Sequence, residues 1–502
     1  MIARSSTPDR LLRLAGVLGI SLAVAVTISV AHLFLFPSLL NEHVILHPVL
    51  LRHGFIPYQH IPDQKAPLLP LFLSWTLPVF KGDAVANART FHALLIGAMV
   101  MLCMAWSYRW GGAWAMAATG LFLLAWSNSF GWWAIMYYDF VLGLLYFVVF
   151  VLLAGQVRDP TIRGIGAVGL ASGLAILTKQ YAILLLVPTV GVWAGWLASG
   201  RVSFRRSVLL LLAYLLGVSL PIALFAWGYY RQAGSFQDLV HWTVSFNLGA
   251  YPGEATLLPT PAQVIGLLPA FLMVVPFASS ILFPVEKMHP GRGIRLLLLV
   301  FLFLGALCIY PRYGGRHWAA AFPCLATLSG IACADLMAEW PTRKVQHPQL
   351  SMVAAVMLLW LAITALGYIP ALKSPKPPRW AEYSELIELA DTLRERIPAQ
   401  GGLVLLPTDE SNSNLYYLLG QLPPHYWLMN YPWWMNRLTI SRWLATMEEE
   451  KPYTLLLFPG GATLMSSYPE IGQYVGENYR VTDAVEWRNG QVQIMVRSDV
   501  EP

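Results

Sequence analysis

The sequence predicts a polytopic α-helical membrane protein that carries a small α/β domain outside the membrane. Of its 502 residues, 57% are hydrophobic and only 12% are charged, whereas a soluble globular protein is about one quarter charged. Apolar runs of transmembrane length, about 18 residues or more, recur through the first 372 residues. Beyond residue 372 the pattern changes to shorter amphipathic and alternating segments. These observations predict a membrane domain followed by a separately folded domain.

Eleven apolar segments predict membrane-spanning helices, because each is roughly 20 residues long. The first segment is longer than the apolar core of a signal peptide and has no clear cleavage site, which favours a retained helix. The predicted helices lie near residues 11–36, 86–108, 112–127, 139–156, 163–178, 180–197, 207–229, 263–284, 294–310, 317–338 and 350–371.

Cationic residues concentrate in alternate loops, and this bias predicts the orientation of the chain. The N-terminus carries Arg4, Arg10 and Arg13. Because cytoplasmic loops are enriched in Lys and Arg, we place the N-terminus in the cytoplasm of a multi-pass protein of the inner or plasma membrane. The cations assigned to later cytoplasmic loops are Arg109, Arg158, Arg163, Arg201, Arg205, Arg206, Lys287, Arg292, Arg295, Arg343 and Lys344.

The extracytoplasmic side is predicted to receive two long insertions and the whole tail of the chain. The insertions lie near residues 38–85 and 230–262. Within the tail, Asn489-Gly490 separates two alternating runs and predicts a β-hairpin. The predicted division is a transmembrane domain at 1–372, a proline-rich linker at 373–379 and an extracytoplasmic α/β domain at 380–502.

Composition argues against nucleic-acid binding and against a disulfide framework. The net charge is +6, but the basic residues are scattered through short loops and do not form a patch. The cysteines stand in apolar runs without the CxxC spacing of metal or redox sites. They are Cys103, Cys308, Cys324 and Cys333, and we expect them to be small buried residues.

Two histidine patterns in the first loop raise the question of a metal site. His43 and His47 are one helical turn apart, a spacing that zinc sites use. No third ligand stands at useful spacing, and we predict that both face solvent on an interfacial helix. The pair His60 and Asp63 is too short a signal for a metal site. The sequence therefore predicts no metal ligands, although it leaves a divalent cation open as a cofactor.

Ionisable residues gather near the predicted outer helix ends. An ionisable group at membrane depth costs about 2.5–3.5 kcal/mol or more, so each one requires a reason. Carboxylates beside cations suit group transfer from a lipid phosphate, because the cations hold the phosphate and a carboxylate accepts the acceptor's proton. The ionisable residues near the predicted outer helix ends are Glu42, His60, Asp63, Lys65, Asp139, Lys179, Arg312, Arg316 and His317.

The first loop, NEHVILHPVLLRHGFIPYQHIPDQKAPLLPLF, resembles that of the GT-C membrane glycosyltransferases. The nearest branch is the bacterial relatives of protein O-mannosyltransferases and of the lipid A aminoarabinose transferase. In that branch the loop begins with Asp-Glu, runs through Gly-x-x-Pro-Tyr-x-acid and ends in Lys-x-Pro. The resemblance continues at Asp139, Thr178-Lys179 and Arg312-Tyr313, and it covers the whole predicted membrane region in order.

The resemblance implies a GT-C fold and a specific reaction. The implied donor is a polyprenyl-phosphate-linked sugar, and a hydroxyl of a lipid, glycan or protein is the acceptor. Transfer of the hexosyl or pentosyl group would invert the anomeric centre at the extracytoplasmic face of the bilayer. The implied catalytic carboxylates are Glu42, Asp139 and Asp63. The implied phosphate ligands are Lys65, Lys179, Arg312 and Arg316, and further substrate contacts are Tyr58, His60, Tyr138 and His317.

Two positions depart from the motif of that family and keep other functions open. Asn41 stands where the first loop usually has Asp, and His60 stands where an acid usually follows Pro-Tyr. Either Glu42 or Asp63 takes over the role of the base, or the protein is a non-catalytic member of the fold. A secondary transporter or lipid flippase is the other alternative. Against it, the chain shows no half-to-half symmetry, and its charges cluster at one face instead of the midplane.

Overall fold

The structure is a computed structural model in which helices dominate and a small sheet lies in the C-terminal part. The described residues are 7–35, 42–79, 84–129, 137–249, 292–308, 315–339, 378–398, 401–410, 412–488 and 490–499.

The helices, numbered in chain order, are α1 Thr7–Leu35, α2 Leu46–Arg52, α3 Leu68–Thr76, α4 Ala84–Ser129, α5 Tyr138–Gln156, α6 Ile162–Thr178, α7 Leu186–Ala198, α8 Phe204–Ala233, α9 Gln237–Val240, α10 Phe246–Leu248, α11 Arg292–Leu307, α12 Phe322–Glu339, α13 Pro378–Arg394, α14 Leu415–Leu419, α15 Arg437–Glu450, α16 Gly461–Ser467 and α17 Pro469–Asn478. Short 3-10 turns cover Leu77–Val79, Gln180–Leu185 and Gly315–Ala320, and His241–Ser245 forms a π-helical turn. The strands are β1 Leu403–Leu406, β2 Thr454–Leu457, β3 Tyr479–Trp487 and β4 Gly490–Arg497.

The predicted helices that fall on described residues coincide with helices of the structure. The two predicted at 86–108 and 112–127 together form α4, which is interrupted at Gly112. Gly112 has φ 68° and ψ −158°, a conformation that only glycine adopts without strain. The helices predicted at 263–284 and 350–371 lie outside the described residues.

Among the described residues, four helical stretches are long and apolar enough to cross a membrane. They are Ala84–Leu124, Tyr138–Gln156, Gln180–Ala198 and Phe204–Ala233. On the last of these, large apolar side chains such as Leu216 and Leu224 point away from the protein, 71% and 63% exposed. An apolar outer surface is what a helix in contact with lipid requires. The total of eleven spans stays a prediction.

Glycine allows α6 and α8 to approach each other closely. A Cβ atom added at Gly169 on α6 would lie 2.2 Å from the carbonyl oxygen of Tyr214 on α8. On the facing helix, a Cβ atom at Gly217 would lie 2.4 Å from the carbonyl oxygen of Gly166. Small residues at such crossings are typical of membrane helices, because backbone-to-backbone packing replaces the hydrophobic driving force that lipid cannot supply.

The chain divides into two compact units. The first unit contains Met1–Ser38, Arg89–Leu224 and Leu257–Pro377. The second unit contains Leu39–Ala88, Phe225–Thr256 and Pro378–Pro502, so the tail shares its unit with the first loop and with a short central segment. A single buried core joins the three segments of the second unit and includes Leu46, Trp242 and Leu405.

The sheet of the second unit has the strand order β1-β2-β4-β3. Strands β1 and β2 run parallel, β4 is antiparallel to β2, and β3 is antiparallel to β4. All four residues of Leu403–Leu406 are buried, as expected for an apolar strand that is covered on both faces. The hairpin predicted at the end of the tail is confirmed, because Trp487 pairs with Gly490 across β3 and β4.

Candidate functional site

The first unit contains a buried ionic cluster formed by Asp139, Lys179 and His317, which we call the Asp139 cluster. Asp139 lies in the first turn of α5, where the helix dipole favours a negative charge. Its Oδ1 atom accepts a hydrogen bond from Lys179 Nζ at 2.6 Å, and its Oδ2 atom lies 2.8 Å from His317 Nδ1. The carboxylate is completely buried, and both of its oxygens contact a nitrogen that can carry a positive charge.

Backbone geometry brings the three residues of the Asp139 cluster together. Lys179 directly follows α6 in extended conformation, with φ −155° and ψ 128°, and its side chain extends to Asp139 and to the carbonyl oxygen of Cys308, 3.4 Å away. His317 lies in the turn Gly315–Ala320, which packs against α5. A Cβ atom at Gly143, one turn after Asp139, would lie 2.3 Å from the carbonyl oxygen of Ala319. Glycine at that position therefore allows the close approach.

The second unit contains a larger group, formed by Glu42, His43, His47, Asp63 and Lys65, which we call the Glu42 cluster. The exposed fractions are 0% for Glu42 and His43, 2% for His47 and 6% for Asp63. Two carboxylates face one ammonium group, and the remaining members are imidazoles. Burial lowers the pKa of His47 well below its ordinary value of 6.5, and His43 and Lys65 add to that effect.

His43 is at the centre of the Glu42 cluster and contacts all its other members. Its Nε2 atom lies 2.9 Å from Glu42 Oε1 and 2.5 Å from Lys65 Nζ. Its Nδ1 atom lies 3.1 Å from Nδ1 of His47 and 3.3 Å from Oδ2 of Asp63. One imidazole therefore links the start of the first loop to the segment that re-enters the fold.

Local backbone structure holds Asp63 and Lys65 in place. Asp63 Oδ1 accepts a hydrogen bond from the Lys65 backbone N–H at 3.0 Å, which is a local turn typical of Asp. The Tyr58 hydroxyl donates to the Lys65 carbonyl oxygen at 2.9 Å. Tyr58 itself has φ +66°, a strained conformation for a non-glycine residue. The surrounding packing must maintain this conformation, since Tyr58 is only 1% exposed.

His60 points to different partners from those of the Glu42 cluster. Its Nδ1 atom accepts a hydrogen bond from the backbone N–H of Ile56 at 3.1 Å. Its ring packs edge-on against His425, with centroids 5.3 Å apart. Its backbone carbonyl oxygen accepts a hydrogen bond from the backbone N–H of Trp427 at 2.9 Å. Where the motif of the family has an acid, this chain therefore has a residue that joins the first loop to the tail.

The prediction that His43 and His47 face solvent is wrong, because both rings are buried. His47 packs edge-on against Trp427 of the tail at 5.2 Å, a contact that sequence spacing within the first loop cannot reveal. The expectation that no third ligand is available is also wrong. The ligand atoms of His43, His47 and Asp63 all lie within 4.8 Å of one another.

The structure places the other predicted site residues as follows. Tyr138 is buried beside Asp139, with its ring edge-on to Tyr137 at 5.5 Å. Arg312 and the side chain of Arg316 lie outside the part of the chain that the structure describes. Sequence reasoning missed the role of His43 as the centre of the Glu42 cluster. The spacing of His43 and His47 was the available signal, but its meaning depended on Asp63, which stands later in the same loop.

Comparison with solved structures finds several to which this chain is similar. The chain is similar to ArnT from Cupriavidus metallidurans bound to undecaprenyl phosphate, with 16% identity and a TM-score of 0.56. The similarity covers 97% of this chain and 99% of the ArnT chain. The apo state of ArnT gives 16% identity and a TM-score of 0.56, over 96% of this chain and 98% of the other. A third structure is the archaeal oligosaccharyltransferase AglB from Archaeoglobus fulgidus in complex with an inhibitory peptide and a dolichol-phosphate. It gives 11% identity and a TM-score of 0.49, over 98% of this chain and 77% of the AglB chain. No model of a protein family matches the sequence, and no curated protein matches it.

The chain therefore has the fold of ArnT, and the fold that the resemblance of the motifs implied is confirmed. The predicted fold class, a polytopic helical membrane protein with a small C-terminal sheet, is confirmed. At 16% identity the similarity shows the fold alone.

Proposed function

We propose that the protein is a membrane glycosyltransferase that moves a sugar from a polyprenyl-phosphate donor to an acceptor hydroxyl. The observation that carries the proposal is the shared fold with ArnT over 97% of the chain, because that structure binds undecaprenyl phosphate. The buried clusters of carboxylates and cations support it, since such groups suit transfer from a lipid phosphate. The acceptor is a lipid, glycan or protein, and the reaction takes place at the extracytoplasmic face of the membrane.

The proposed reaction is a direct displacement at the anomeric carbon of the donor sugar. The acceptor oxygen forms a bond to that carbon while the bond from carbon to phosphate oxygen breaks, and the electron pair of the broken bond passes to the phosphate. The acceptor proton passes to a carboxylate. Attack from the side opposite to the phosphate inverts the anomeric centre, and polyprenyl phosphate leaves.

We assign the role of the general base to Glu42, with Asp63 as the alternative carboxylate. Glu42 contacts His43 Nε2 at 2.9 Å, so the imidazole can stabilise the carboxylate and take part in proton movement. Asp139 suits a supporting role better, because Lys179 and His317 contact its two oxygens. Lys65 and Lys179, together with Arg312 and Arg316, are proposed to hold the phosphate and to stabilise the charge that develops on it.

The test compares turnover by wild-type protein and Glu42→Gln in nanodiscs with short-chain polyprenyl-phosphate sugars and a panel of acceptors. We expect Glu42→Gln to lower kcat about 10²- to 10⁴-fold, the range for loss of a general base. Glu388→Gln is the matched control, because Glu388 is an exposed carboxylate on α13. Unchanged turnover by folded Glu42→Gln protein would overturn the assignment of the base. Absence of turnover with every donor, together with solute uptake into vesicles, would favour a transporter.

A further inference from the structure

Three side chains of the Glu42 cluster have the chemistry and the spacing of a metal site. His43 and His47 offer imidazole nitrogens, and Asp63 offers a carboxylate oxygen. The Nδ1 atoms of the two histidines are 3.1 Å apart, and His43 Nδ1 is 3.3 Å from Asp63 Oδ2. A tetrahedral ion bound at about 2.0–2.1 Å would separate its ligand atoms by about 3.3–3.4 Å. These two distances match the edges of such a tetrahedron to within a few tenths of an ångström, and the third pair, His47 and Asp63, lies within 4.8 Å.

Groups behind these ligands orient them as metal sites require. Asp63 Oδ1 is held by the Lys65 backbone N–H, which leaves Oδ2 directed at His43. On the far side of the His43 ring, Nε2 lies 2.9 Å from Glu42 Oε1. A carboxylate that contacts the second nitrogen of a histidine ligand is the usual outer partner in metal proteins, because it fixes the orientation of the ring and raises its basicity.

Burial keeps the three ligand residues away from bulk water. The exposed fractions are 0% for His43, 2% for His47 and 6% for Asp63. His47 packs against Trp427, so that an aromatic ring shields the ligands on that side. Within the described residues, Nε2 of His47 has no hydrogen-bond partner, and the only polar contact of that ring is the one made by Nδ1 to His43.

We propose that His43, His47 and Asp63 bind one divalent transition-metal ion, with Zn²⁺ preferred. Two imidazoles and one carboxylate are ligands that Zn²⁺ accepts, and water completes the tetrahedron. When Nδ1 of His43 binds the metal, its Nε2 carries the proton and donates to Glu42. The Lys65 ammonium group, now 2.5 Å from Nε2, must then give up that contact. The metal ties His43 and His47, near the start of the first loop, to Asp63 in the middle of the loop, and this role does not depend on the proposed transferase activity.

The first experiment measures metal content. Full-length protein without a histidine tag is stripped with chelator, reloaded with Zn²⁺ in nanodiscs, desalted and analysed by mass spectrometry. We expect about one zinc ion per chain in the wild type and at least a tenfold lower content in Asp63→Asn. His53→Ala should retain the ion, because His53 is an exposed histidine at the end of α2. No stoichiometric zinc in the wild type, or equal loss in His53→Ala, would overturn the proposal.

The second experiment remains informative if Asp63→Asn folds poorly. His47→Cys keeps a ligand at position 47 and replaces nitrogen by sulfur. After loading with Co²⁺, we expect tetrahedral d–d absorption in the wild type and a new thiolate-to-cobalt charge-transfer band in His47→Cys. His53→Cys introduces the same thiol outside the cluster and should show no new band. The proposal fails if His47→Cys and His53→Cys give the same spectrum.

Discussion

The Asp139 cluster and the Glu42 cluster contain the same kinds of residue but differ in their arrangement. In the first unit, one carboxylate contacts one lysine and one histidine, each through a different oxygen. In the second unit, two carboxylates and one lysine contact a single imidazole, that of His43. The first arrangement is an ion pair around one carboxylate, whereas in the second the ligand atoms of His43, His47 and Asp63 lie within 4.8 Å of one another. The arrangement of a buried cluster, more than its residue types, therefore indicates what the cluster can bind.

The comparison predicts the largest effect on stability for Asp139→Asn. The change removes the carboxylate that compensates the Lys179 ammonium group, and breaking a buried ion pair on one side costs about 3–5 kcal/mol. Apparent thermal unfolding in detergent measures the loss. The control is Asp391→Asn, whose pair with Arg394 is exposed and should contribute about 0–1 kcal/mol. Equal effects in the two variants would mean that Asp139 is not needed to compensate charge.

The two lysines should differ in how their loss affects catalysis. If both hold the donor phosphate, Lys65→Gln raises the donor KM about 10- to 100-fold, because a hydrogen bond to a charged group contributes about 1.5–3 kcal/mol. Lys179→Gln should also lower the apparent Tm, since Asp139 then loses its partner. Steady-state kinetics and thermal unfolding of both variants separate the effects. Lys451→Gln, an exposed lysine after α15, is the control, and a donor KM in Lys65→Gln equal to that of this control would contradict the role.

A smaller effect is expected where the Glu42 cluster depends on the tail. Gln64 stands between Asp63 and Lys65, and its Oε1 atom accepts a hydrogen bond from the buried Trp434 indole at 2.6 Å. Gln64→Leu removes the acceptor and should lower the free energy of unfolding by about 1 kcal/mol. Denaturant unfolding followed by tryptophan fluorescence measures it. Gln473→Leu, at an exposed position on α17, should change stability less, and the reverse order would argue against this link.

The smallest predicted effect is a loss of thermal stability at acidic pH. Burial lowers the pKa of His60 below its ordinary value of 6.5; nearby His425 lowers it further, while Glu450 raises it. Just below pH 6.5 the unfolded chain therefore binds more protons than the folded chain. The free energy of unfolding is therefore highest above that pH and decreases as the pH falls. We expect a lower apparent Tm at about pH 5.5 than at about pH 7.5, with a weaker dependence in His60→Gln. An unchanged pH dependence in His60→Gln would exclude His60 as its source.

Local patterns were sufficient to predict much of the fold. Apolar runs predicted the described membrane helices, and the alternation around Asn489-Gly490 predicted the hairpin of β3 and β4. Such signals are contained in neighbouring residues, because helices and hairpins form from contacts that are close in sequence. The interruption of α4 at Gly112 lies at the boundary between the two helices predicted at 86–108 and 112–127.

The composition of the two clusters could not be predicted in the same way. Asp139 and His317 are 178 residues apart and meet through backbone packing at Gly143. His43 and His47 are both buried, and His47 packs against Trp427, which comes from the tail. Hydropathy carries no information on contacts at such separation. The sequence therefore indicated which residues are unusual, while tertiary packing determines which of them meet.

The composite second unit has a consequence for biosynthesis. Its core joins the first loop, a segment near residues 229–246 and strands that begin only at Leu403. During translation the first loop is therefore complete long before its packing partners emerge, and contacts of such sequence separation form late. Until the tail has been made and has packed against the first loop, residues such as Leu46 and Phe55, which are buried in the folded protein, are exposed to chaperones and proteases. A chain truncated within its tail should consequently be degraded as a nascent product, even with its membrane helices inserted.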